Sequence, residues 1–516
     1  MHRLPAILAL FLAIFYTFNL YASLSNKARA ELEVYMSPHE GRNSFNKVYS
    51  LIEGSRNYIH LTLYGWSDKG LFMALKKALT KINPPKVRIV LHRPLYINSK
   101  NGPHPTLHSR VKKLEKLGAE FKLAKQKMHE KFLIVDNEIL MNGSANMSNG
   151  PLTRYSENMV YYSSGGNSLH PHDRLIQQFK HEFSVLFNSG TDLITHGERI
   201  ATEIKDYNQR SENGELLNNL PVASDLYLVS SSMNFKLRRN RPGTVKYREG
   251  RYLSLAAKKI EGNKTWNVRE MLIREIDKAK DNILVCLNHL TLPAVKDAFI
   301  RAVQRGVKIH WFVDNYEYST KTNSKAQTPK FVAEYQNIMQ QKKTPVRVKW
   351  YSIIPHPRYA LLNHHKFILI DSATDFPVLL SGSSNMSKSA EFTQFDNIVV
   401  HRGLRFSRLY QKFADEFWQL WKLNRTAEDK PSPKLIELFT SVNKDGFMRI
   451  HKKTPLSLTW DEVKSLNTAI YAAAPGLKTK LSGFDHCAFY DYKTESFATW
   501  KSKKKVYKAC IKKTRR

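Results

Sequence analysis

The residues with the clearest chemical meaning occur as two copies of one pattern. Each copy has a histidine, a lysine two residues later, an aspartate five residues after the lysine, and then a Gly-Ser-x-Asn segment. An acidic residue follows each asparagine by eleven residues. The two sets are His129, Lys131, Asp136, Ser144, Asn146 and Glu157, and His364, Lys366, Asp371, Ser383, Asn385 and Asp396. Matching at so many fixed offsets, twice in one chain, predicts one site assembled from both copies.

Residues of these types suit the cleavage of a phosphodiester. Because a phosphodiester is anionic and repels hydroxide, a site that cleaves it must neutralise its oxygens and supply a preorganised nucleophile. Lys131 and Lys366, with the amide groups of Asn146 and Asn385, could hold those oxygens from two sides. Since the lysines would replace metal ions in this task, we expect no metal and no cofactor.

The histidines and acids complete the chemistry. One of His129 and His364 would attack phosphorus as neutral imidazole, which divides a difficult displacement into two easier steps. The other would protonate the leaving alcohol and later deprotonate the attacking water. Glu157 and Asp396 would each hold a histidine in the required tautomer. The residues leave open which histidine attacks.

Both histidine-lysine pairs lie in apolar runs typical of strands. Because strand side chains alternate between faces, His129 and Lys131 share one face, whereas Asp136 lies on the other. The second copy has the same parity, and it puts His365 on the face away from His364. We therefore expect His365 to be a packed or surface histidine.

The surrounding sequence alternates between strand and helix periods. This order, strand, helix, strand, helix, strand, occurs across residues 31–91 and returns in part across residues 268–313, which indicates a duplicated α/β fold. We assign residues 31–195 and 226–425 to the two halves and residues 196–225 to a polar linker. Residues 92–110 are predicted to be a loop.

Composition supports an anionic partner. The chain has 516 residues, which is too long for one core, and 81 Lys and Arg against 45 Asp and Glu give a net charge of +36. Nucleic acid, an acidic membrane surface or a phosphorylated substrate would all suit this charge. Residues 234–251 form a predicted basic loop, either a solvated insertion or a collector of anionic substrate, and residues 426–516 form a basic C-terminal extension.

The N-terminus predicts export. An apolar run from Leu4 to Ala22 precedes Ala28-Arg-Ala30, so residues 1–30 are typical of a secretory signal peptide. An uncleaved membrane anchor is the alternative, because the run is close to spanning length. Cys487 and Cys510 could pair in an oxidising compartment, and Cys286 lies in a buried-strand pattern as a core thiol. Three cysteines without CxxC spacing predict no zinc site.

Across residues 31–425 the sequence resembles the phospholipase D superfamily, whose mark is HxKxxxxD followed by GSxN. The resemblance implies two pseudo-symmetric α-β-α sandwich halves with mixed sheets, whose motifs meet in one cleft, and a covalent phosphohistidine. It also implies a structural role for Asp136 and Asp371 and a phosphate pocket shaped by Ser144 and Ser383. With both half-sites in one chain, a monomer is expected.

Four functions remain open from sequence. The first is an exported phospholipase D-like enzyme that hydrolyses phospholipid or transfers its phosphatidyl group. The others are an exported nuclease, a cardiolipin synthase-like transferase and a noncatalytic anion-binding module. Aromatic loops at 64–66, 95–97 and 351–354 would favour a lipid if they ring the cleft. His92, His104, His108 and His356 lie in loop-like segments and are treated as incidental.

Overall fold

The computed structural model describes most of both predicted halves. It covers residues 31–192, 225–313 and 362–423, with gaps at 38, 99–101, 125, 154, 245–252, 258–267, 288–289, 291, 388–389 and 391–393. It also includes the short strands Val348–Lys349, Ala488–Asp491 and Ser496–Thr499, the last two paired with each other. The predicted signal peptide, the linker up to residue 224, Cys487, Cys510, His356 and the loop at 351–354 lie outside the described residues, as does most of the extension. In this part of the chain, no helix combines the length and hydrophobicity that a membrane span requires.

The first half is built on a mixed sheet. Its strands are β1 (Leu32–Ser37), β2 (Tyr58–Leu63), β3 (Lys86–Leu91), β4 (Glu120–Leu123), β5 (Phe132–Val135), β6 (Ile139–Gly143) and β7 (Tyr155–Ser163). They lie in the order β1-β7-β6-β5-β2-β3-β4, with Thr191–Asp192 beside β4 at the edge. The β2-β3-β4 pairs are parallel and the others antiparallel, so the prediction of a mixed sheet is confirmed.

Helices connect and cover these strands. They are α1 (Gly41–Gly54), α2 (Lys69–Leu79), α3 (Pro105–Glu115) and α4 (Pro171–Ser189), with short helical turns at Arg93–Tyr96 and Asn149–Thr153. Asp68 begins α2 by accepting a hydrogen bond from the backbone N–H of Leu71 at 2.6 Å. The prediction of a loop across residues 92–110 is wrong in part, because this segment contains a helical turn, the paired strands Ile97–Asn98 and Gly102–Pro103, and the start of α3.

The second half repeats this plan. Its strands are β8 (Leu226–Ser230), β9 (Asn282–Leu287), β10 (Lys308–Val313), β11 (Lys366–Ile370), β12 (Val378–Gly382) and β13 (Asn397–Arg402). They lie in the order β8-β13-β12-β11-β9-β10, followed by Val348–Lys349. The helices are α5 (Val268–Lys278), α6 (Pro293–Gln304) and α7 (Ser407–Leu423), with 3-10 turns at Ser231–Asn234 and Leu404–Phe406. The predicted duplication is therefore confirmed by matching strand order in the two sheets.

The predicted basic loop is instead partly a hairpin. Phe235–Arg239 pairs in antiparallel register with Leu253–Ala257. Gly243, in the turn that follows the first strand, has a φ of 83°. Arg238, Arg239 and Arg241 lie on the described part of this hairpin. The first strand has Phe235, Leu237 and Arg239 at every second position, a spacing that is compatible with a strand. The high density of charge in the segment obscured this pattern.

The two halves share one interior layer. Helices α4 and α7 lie between the two sheets, where Phe179 and Phe183 of α4 and Phe413 and Phe417 of α7 join one core cluster with Phe132 of β5. The outer faces of the sheets have separate cores under α1–α3 and under α5–α6. Cys286 is a buried core thiol in this arrangement, as predicted, with its Sγ 3.5 Å from Oδ1 of Asn363. Because the interior core belongs to both sheets, the halves are fixed relative to each other by burial of apolar surface.

Candidate active site

The two motif histidines meet between the sheets. The ring centroids of His129 and His364 are 6.3 Å apart, and only 3% of His129 and 9% of His364 are exposed. Residues far apart in the chain thus face each other across a gap suited to a small anionic group. This is the meeting of motifs that the sequence predicts.

Short strand pairs between the halves bring the histidines together. Lys127–Met128, just before His129, pairs in parallel with Gln394–Phe395. Leu362–Asn363, just before His364, pairs in the same way with residues 155–156 of β7. The backbone N–H of each histidine then donates to a carbonyl of the opposite half, at 2.9 Å in both cases. Each histidine segment is therefore docked beside the strand that carries the other half's acid.

The acids consequently cross between the halves. The Nδ1 atom of His129 lies 2.8 Å from Oδ1 of Asp396, and Nδ1 of His364 lies 2.7 Å from Oε2 of Glu157. A carboxylate at Nδ1 fixes the imidazole tautomer and leaves Nε2 for a substrate. The sequence predicts that the acids orient the histidines, but it contains no sign that each acid serves the histidine of the opposite half.

Both acids are fully buried, and neighbouring donors support them. Asp396 accepts hydrogen bonds from Ser383 Oγ at 2.9 Å and from the amide of Gln394. Burial raises the pKa of Asp396 to about 7 and that of Glu157 to about 8, although nearby lysines oppose these shifts. Since burial also lowers the pKa of His129, the buried pair of His129 and Asp396 is suited to sharing one proton between acid and imidazole.

The two lysines supply the positive charge. Lys131 and Lys366 are buried, and each donates through Nζ to the backbone carbonyl of its own motif histidine, the second at 2.5 Å. Burial, and then the charge of Lys366, lower the pKa of Lys131 to about 7. These charges also help to lower the pKa of His129, so its imidazole is neutral at neutral pH.

The lowered pKa of Lys131 gives a test that needs no substrate turnover. An anion bound between the lysines favours the charged ammonium and raises this pKa, so binding should take up a proton. We expect vanadate or phosphate binding at about pH 8 to take up part of a proton by calorimetry in buffers of different ionisation enthalpy, and less in Lys131→Met. Equal uptake by both proteins would contradict the assignment.

The motif serines lie one layer behind the histidines. Ser144 and Ser383 are fully buried, and the hydroxyl of each accepts the backbone N–H of the asparagine after the acid, Asn158 or Asn397, at 3.0 Å. Ser383 also holds the carboxylate of Asp396. The hydroxyls of both serines therefore support the acid strands, and their predicted part in shaping a phosphate pocket stays a prediction.

The motif asparagines have side-chain oxygens that can still accept hydrogen bonds. The side-chain oxygens of Asn146 and Asn385 are buried and make no hydrogen bond within the described residues. Asn146 lies against Gly65, where an added Cβ would be 3.3 Å from its amide carbon. Their predicted contact with phosphate stays a prediction.

The motif aspartates bind backbone rather than substrate. Asp136 accepts the backbone N–H groups of Arg56, Asn57 and Tyr58 at 2.7 to 2.9 Å, where α1 leads into β2. Asp371 does the same for residues 280–282, where α5 leads into β9. The alternation of strand side chains was the reason for placing both aspartates away from the histidines. That reason is wrong, because both aspartates lie just beyond the strand ends, with φ of 53° and 51°.

Other predicted side chains are in the core. His365 is fully buried, with Nε2 3.2 Å from Oε1 of Glu416, so its prediction as a packed histidine is confirmed. Trp66 and Tyr96 are also buried, and neither presents an exposed aromatic surface. Within the described residues, no group of three or more His, Cys, Asp or Glu side chains is arranged to hold a metal ion.

Three further residues lie beside the site. The ring of Tyr64, in the aromatic loop at 64–66, lies 4.6 Å from that of His129, with the ammonium of Lys131 4.7 Å from its centroid. His92 stacks on Tyr64 at 4.7 Å, and Gln394, which sequence reasoning missed, supports Asp396. Tyr64 and His92 directly follow the parallel strands β2 and β3, so they share one edge of the sheet.

Comparison with known proteins agrees with this arrangement. A family model described as "Cardiolipin synthase, PLD-like domain" matches residues 48–186 and again residues 272–421. No curated protein matches the chain in sequence.

The chain is also similar to solved structures of bacterial proteins. One is phosphatidylserine synthase from Haemophilus influenzae Rd KW20, which is 12% identical in sequence. The match covers 84% of this chain and 99% of that chain, with a TM-score of 0.49. Nuc, a phospholipase D family member from Salmonella typhimurium, has 20% identity, covers 32% of this chain and 100% of its own, and has a TM-score of 0.27. Because the two segments matched by the family model span more than half of the chain, the protein belongs to the phospholipase D superfamily, whose enzymes act on phosphodiesters.

Proposed function

We propose that the protein is a metal-independent phospholipase D-type enzyme that cleaves the phosphodiester of phospholipids through a phosphohistidine. The observation that supports it most directly is the pair of histidines at 6.3 Å, each bonded to the opposite half's acid. Water as the acceptor would give hydrolysis, and an alcohol would give transfer of the phosphatidyl group.

In the first step, His129 is our candidate nucleophile. Its lowered pKa keeps the imidazole neutral, the form that can attack phosphorus. A bond forms between Nε2 and phosphorus while the bond to the leaving alcohol oxygen breaks. The imidazolium of His364 gives its proton to that oxygen. Lys131 and Lys366 balance the charge on the nonbridging oxygens.

The second step reverses the proton transfer. Neutral His364 takes a proton from water or an acceptor alcohol, whose oxygen forms a bond to phosphorus as the nitrogen-phosphorus bond breaks. Asp396 supports the positive charge of the modified His129, and Glu157 supports protonated His364. The side chains of this chain thus supply every proton and charge that the cycle needs.

A phospholipid is favoured as the substrate by the description of the family model, which names cardiolipin synthase. We further propose that the protein is exported and acts as a monomer on an anionic membrane surface, for which the N-terminal sequence and the net charge of +36 are the support.

A nuclease is the second candidate. The charge of +36 favours it as well, because phosphate contacts dominate nucleic-acid affinity. Tyr64 and Tyr155, half-buried beside the two histidines, could stack on a base or contact a lipid head group.

A parallel assay in the presence of a chelator separates these functions. The full chain is incubated with vesicles of phosphatidylcholine or phosphatidylglycerol, with and without a primary alcohol, and with single-stranded DNA. We expect release of the head group, and a new phosphatidyl ester if the enzyme transfers. DNA cleavage without lipid turnover would establish the nuclease instead. No turnover of either substrate, by protein that binds vanadate, would contradict both proposals.

A further inference from the structure

A second pair of acids lies directly behind His129. Glu130 stands between His129 and Lys131 in the motif, and its side chain points away from the reacting face. Glu130 and Glu182, the latter on α4, are almost wholly buried, with 0% and 1% exposed. Their side chains are linked by the hydroxyls of Ser230 and Ser232, which contact Glu130 and Glu182 respectively and each other. The mechanism above uses neither of them.

Two of their oxygens accept no hydrogen bond within the described part of the chain, although the side chain of Asn397 also lies close to Glu130. Oε2 of Glu130 and Oε1 of Glu182 are buried and accept no hydrogen bond from the described donors. Two ionised carboxylates offer each other only acceptors and repel, so neighbouring buried carboxyl groups retain a proton between them. A proton kept by one of the two carboxyl groups makes it a donor for the other.

A serine triplet connects this pair to the site. Ser230 Oγ lies 3.5 Å from Oε1 of Glu130, and Ser232 Oγ donates to Oε2 of Glu182. The hydroxyls of Ser230 and Ser232 are themselves 3.1 Å apart. The outer serines of Ser230-Ser231-Ser232 therefore bind the acid pair.

The central serine of the triplet binds the strand of Asp396. Ser231 Oγ donates to the carbonyl of Gln394 at 2.8 Å and accepts the backbone N–H of Asp396 at 2.9 Å. The backbone N–H of Ser231 also donates to the carbonyl of Asp396 at 2.9 Å. A displacement of the triplet would therefore move the carboxylate that holds His129.

The pseudo-symmetric position in the first half is built differently. Ser37 corresponds to Ser231, since its hydroxyl donates to the carbonyl of Tyr155 at 2.8 Å. Its neighbours in the sequence are Met36 and Pro38, which have no hydroxyl. In the second copy, His365 occupies the position of Glu130. Its Nε2 lies 3.2 Å from Oε1 of Glu416 on α7. Only the His129 side therefore has two acids facing each other.

We propose that Glu130 and Glu182 share one proton and act as a positioning pair, which holds Asp396 through the serine triplet and so keeps His129 in its reactive orientation. The effect on catalysis rests on the proposed function, whereas the shared proton does not.

The pH response follows from the groups around the pair. Lys131 from the motif strand and Asp396 from the opposite sheet are the charged groups that face it, and Ser230 and Ser232 are neutral. Burial raises the pKa of Glu130, and it raises that of Glu182 to about 7. Because these carboxyls bind protons more tightly when folded, the stability that the proton contributes is full below the ordinary carboxyl pKa. It begins to be lost as pH rises through about 7, where Glu182 ionises, and the loss is complete only above the raised pKa of Glu130.

The test compares Glu182→Gln and Glu130→Gln with Glu270→Gln, a control on the exposed part of α5. In wild type, the unfolding midpoint should fall by about 5 °C between about pH 5 and pH 8, and each buried Gln variant should flatten this fall. Infrared pH-difference spectra should contain a protonated carboxyl band that both buried variants lack. These two readouts need no substrate.

Activity tests the positioning role. In Glu182→Gln the alkaline limb of the kcat profile should move to higher pH, because this pair can no longer acquire two negative charges. Glu182→Leu, which cannot bind Ser232, should lose about tenfold in kcat with KM little changed.

A carboxyl band present in both Gln variants, or unfolding profiles identical to that of Glu270→Gln, would overturn the shared proton. If neither variant folds, absence of the band in wild type at about pH 6 would do so. An unmoved alkaline limb in a variant that lacks the band would overturn the positioning role.

Discussion

His129→Ala and His364→Ala should each reduce kcat by about 10⁴-fold or more while the protein stays folded. Each variant lacks one of the two imidazoles that the covalent cycle requires, so neither half-reaction has both its nucleophile and its proton donor. Because the two residues act as a unit, the double variant should be about as inactive as either single variant. The measurement is kcat on whichever phosphodiester the parallel assay identifies.

A matched control removes a histidine that lies in neither motif. His104→Ala, at the exposed start of α3, should retain activity close to that of wild type. Quenching into alkaline denaturant during turnover, where the nitrogen-phosphorus bond survives, then maps the covalent adduct, which we expect on His129 and absent from His129→Ala. An adduct on His364 would reverse the assigned roles, and unchanged activity in both single variants would remove the enzymatic proposal altogether.

Asp396→Asn and Glu157→Gln should each lower kcat by about 10² to 10⁴-fold, and each should act on the histidine of the opposite half. An amide keeps the shape of the side chain but cannot stabilise an imidazolium or enforce the required tautomer. The 2.8 Å and 2.7 Å contacts to Nδ1 predict that Asp396→Asn perturbs His129 and that Glu157→Gln perturbs His364.

Proton NMR can read this crossing directly. Each Nδ1–H donated to a buried carboxylate should give a strongly downfield resonance, assigned by its loss in the corresponding histidine variant. Asp396→Asn should remove the resonance of His129, and Asp297→Asn, on the exposed side of α6, should remove neither. If Asp396→Asn instead removed the resonance of His364, the acids would serve their own halves and the crossed arrangement would be wrong.

Strand and helix periods were sufficient to predict most elements near the site. The alternation expected across residues 31–91 and 268–313 is present, for example in α2 (Lys69–Leu79) and β9 (Asn282–Leu287). These patterns are local, since they record which face of an element is buried. The hairpin at 235–257 was missed because its charges hide the apolar alternation, and its pairing depends on a strand beyond the turn.

The sequence by itself determined which residue types form the site. Two complete copies of the motif, each with an acid at the same offset, identified His129, His364, Lys131 and Lys366 as one set. This was possible because the residues of one strand keep their spacing and parity in any fold that contains the strand.

Only the tertiary structure decided which acid serves which histidine. Asp396 reaches His129 because the strands at 127–128 and 394–395 pair across the two halves, and the shared core of α4 and α7 fixes that pairing. It likewise decided that the hydroxyls of Ser144 and Ser383 support the acid strands. Spacing within a strand measures distance along one element, whereas these contacts depend on how two sheets bury a common apolar layer.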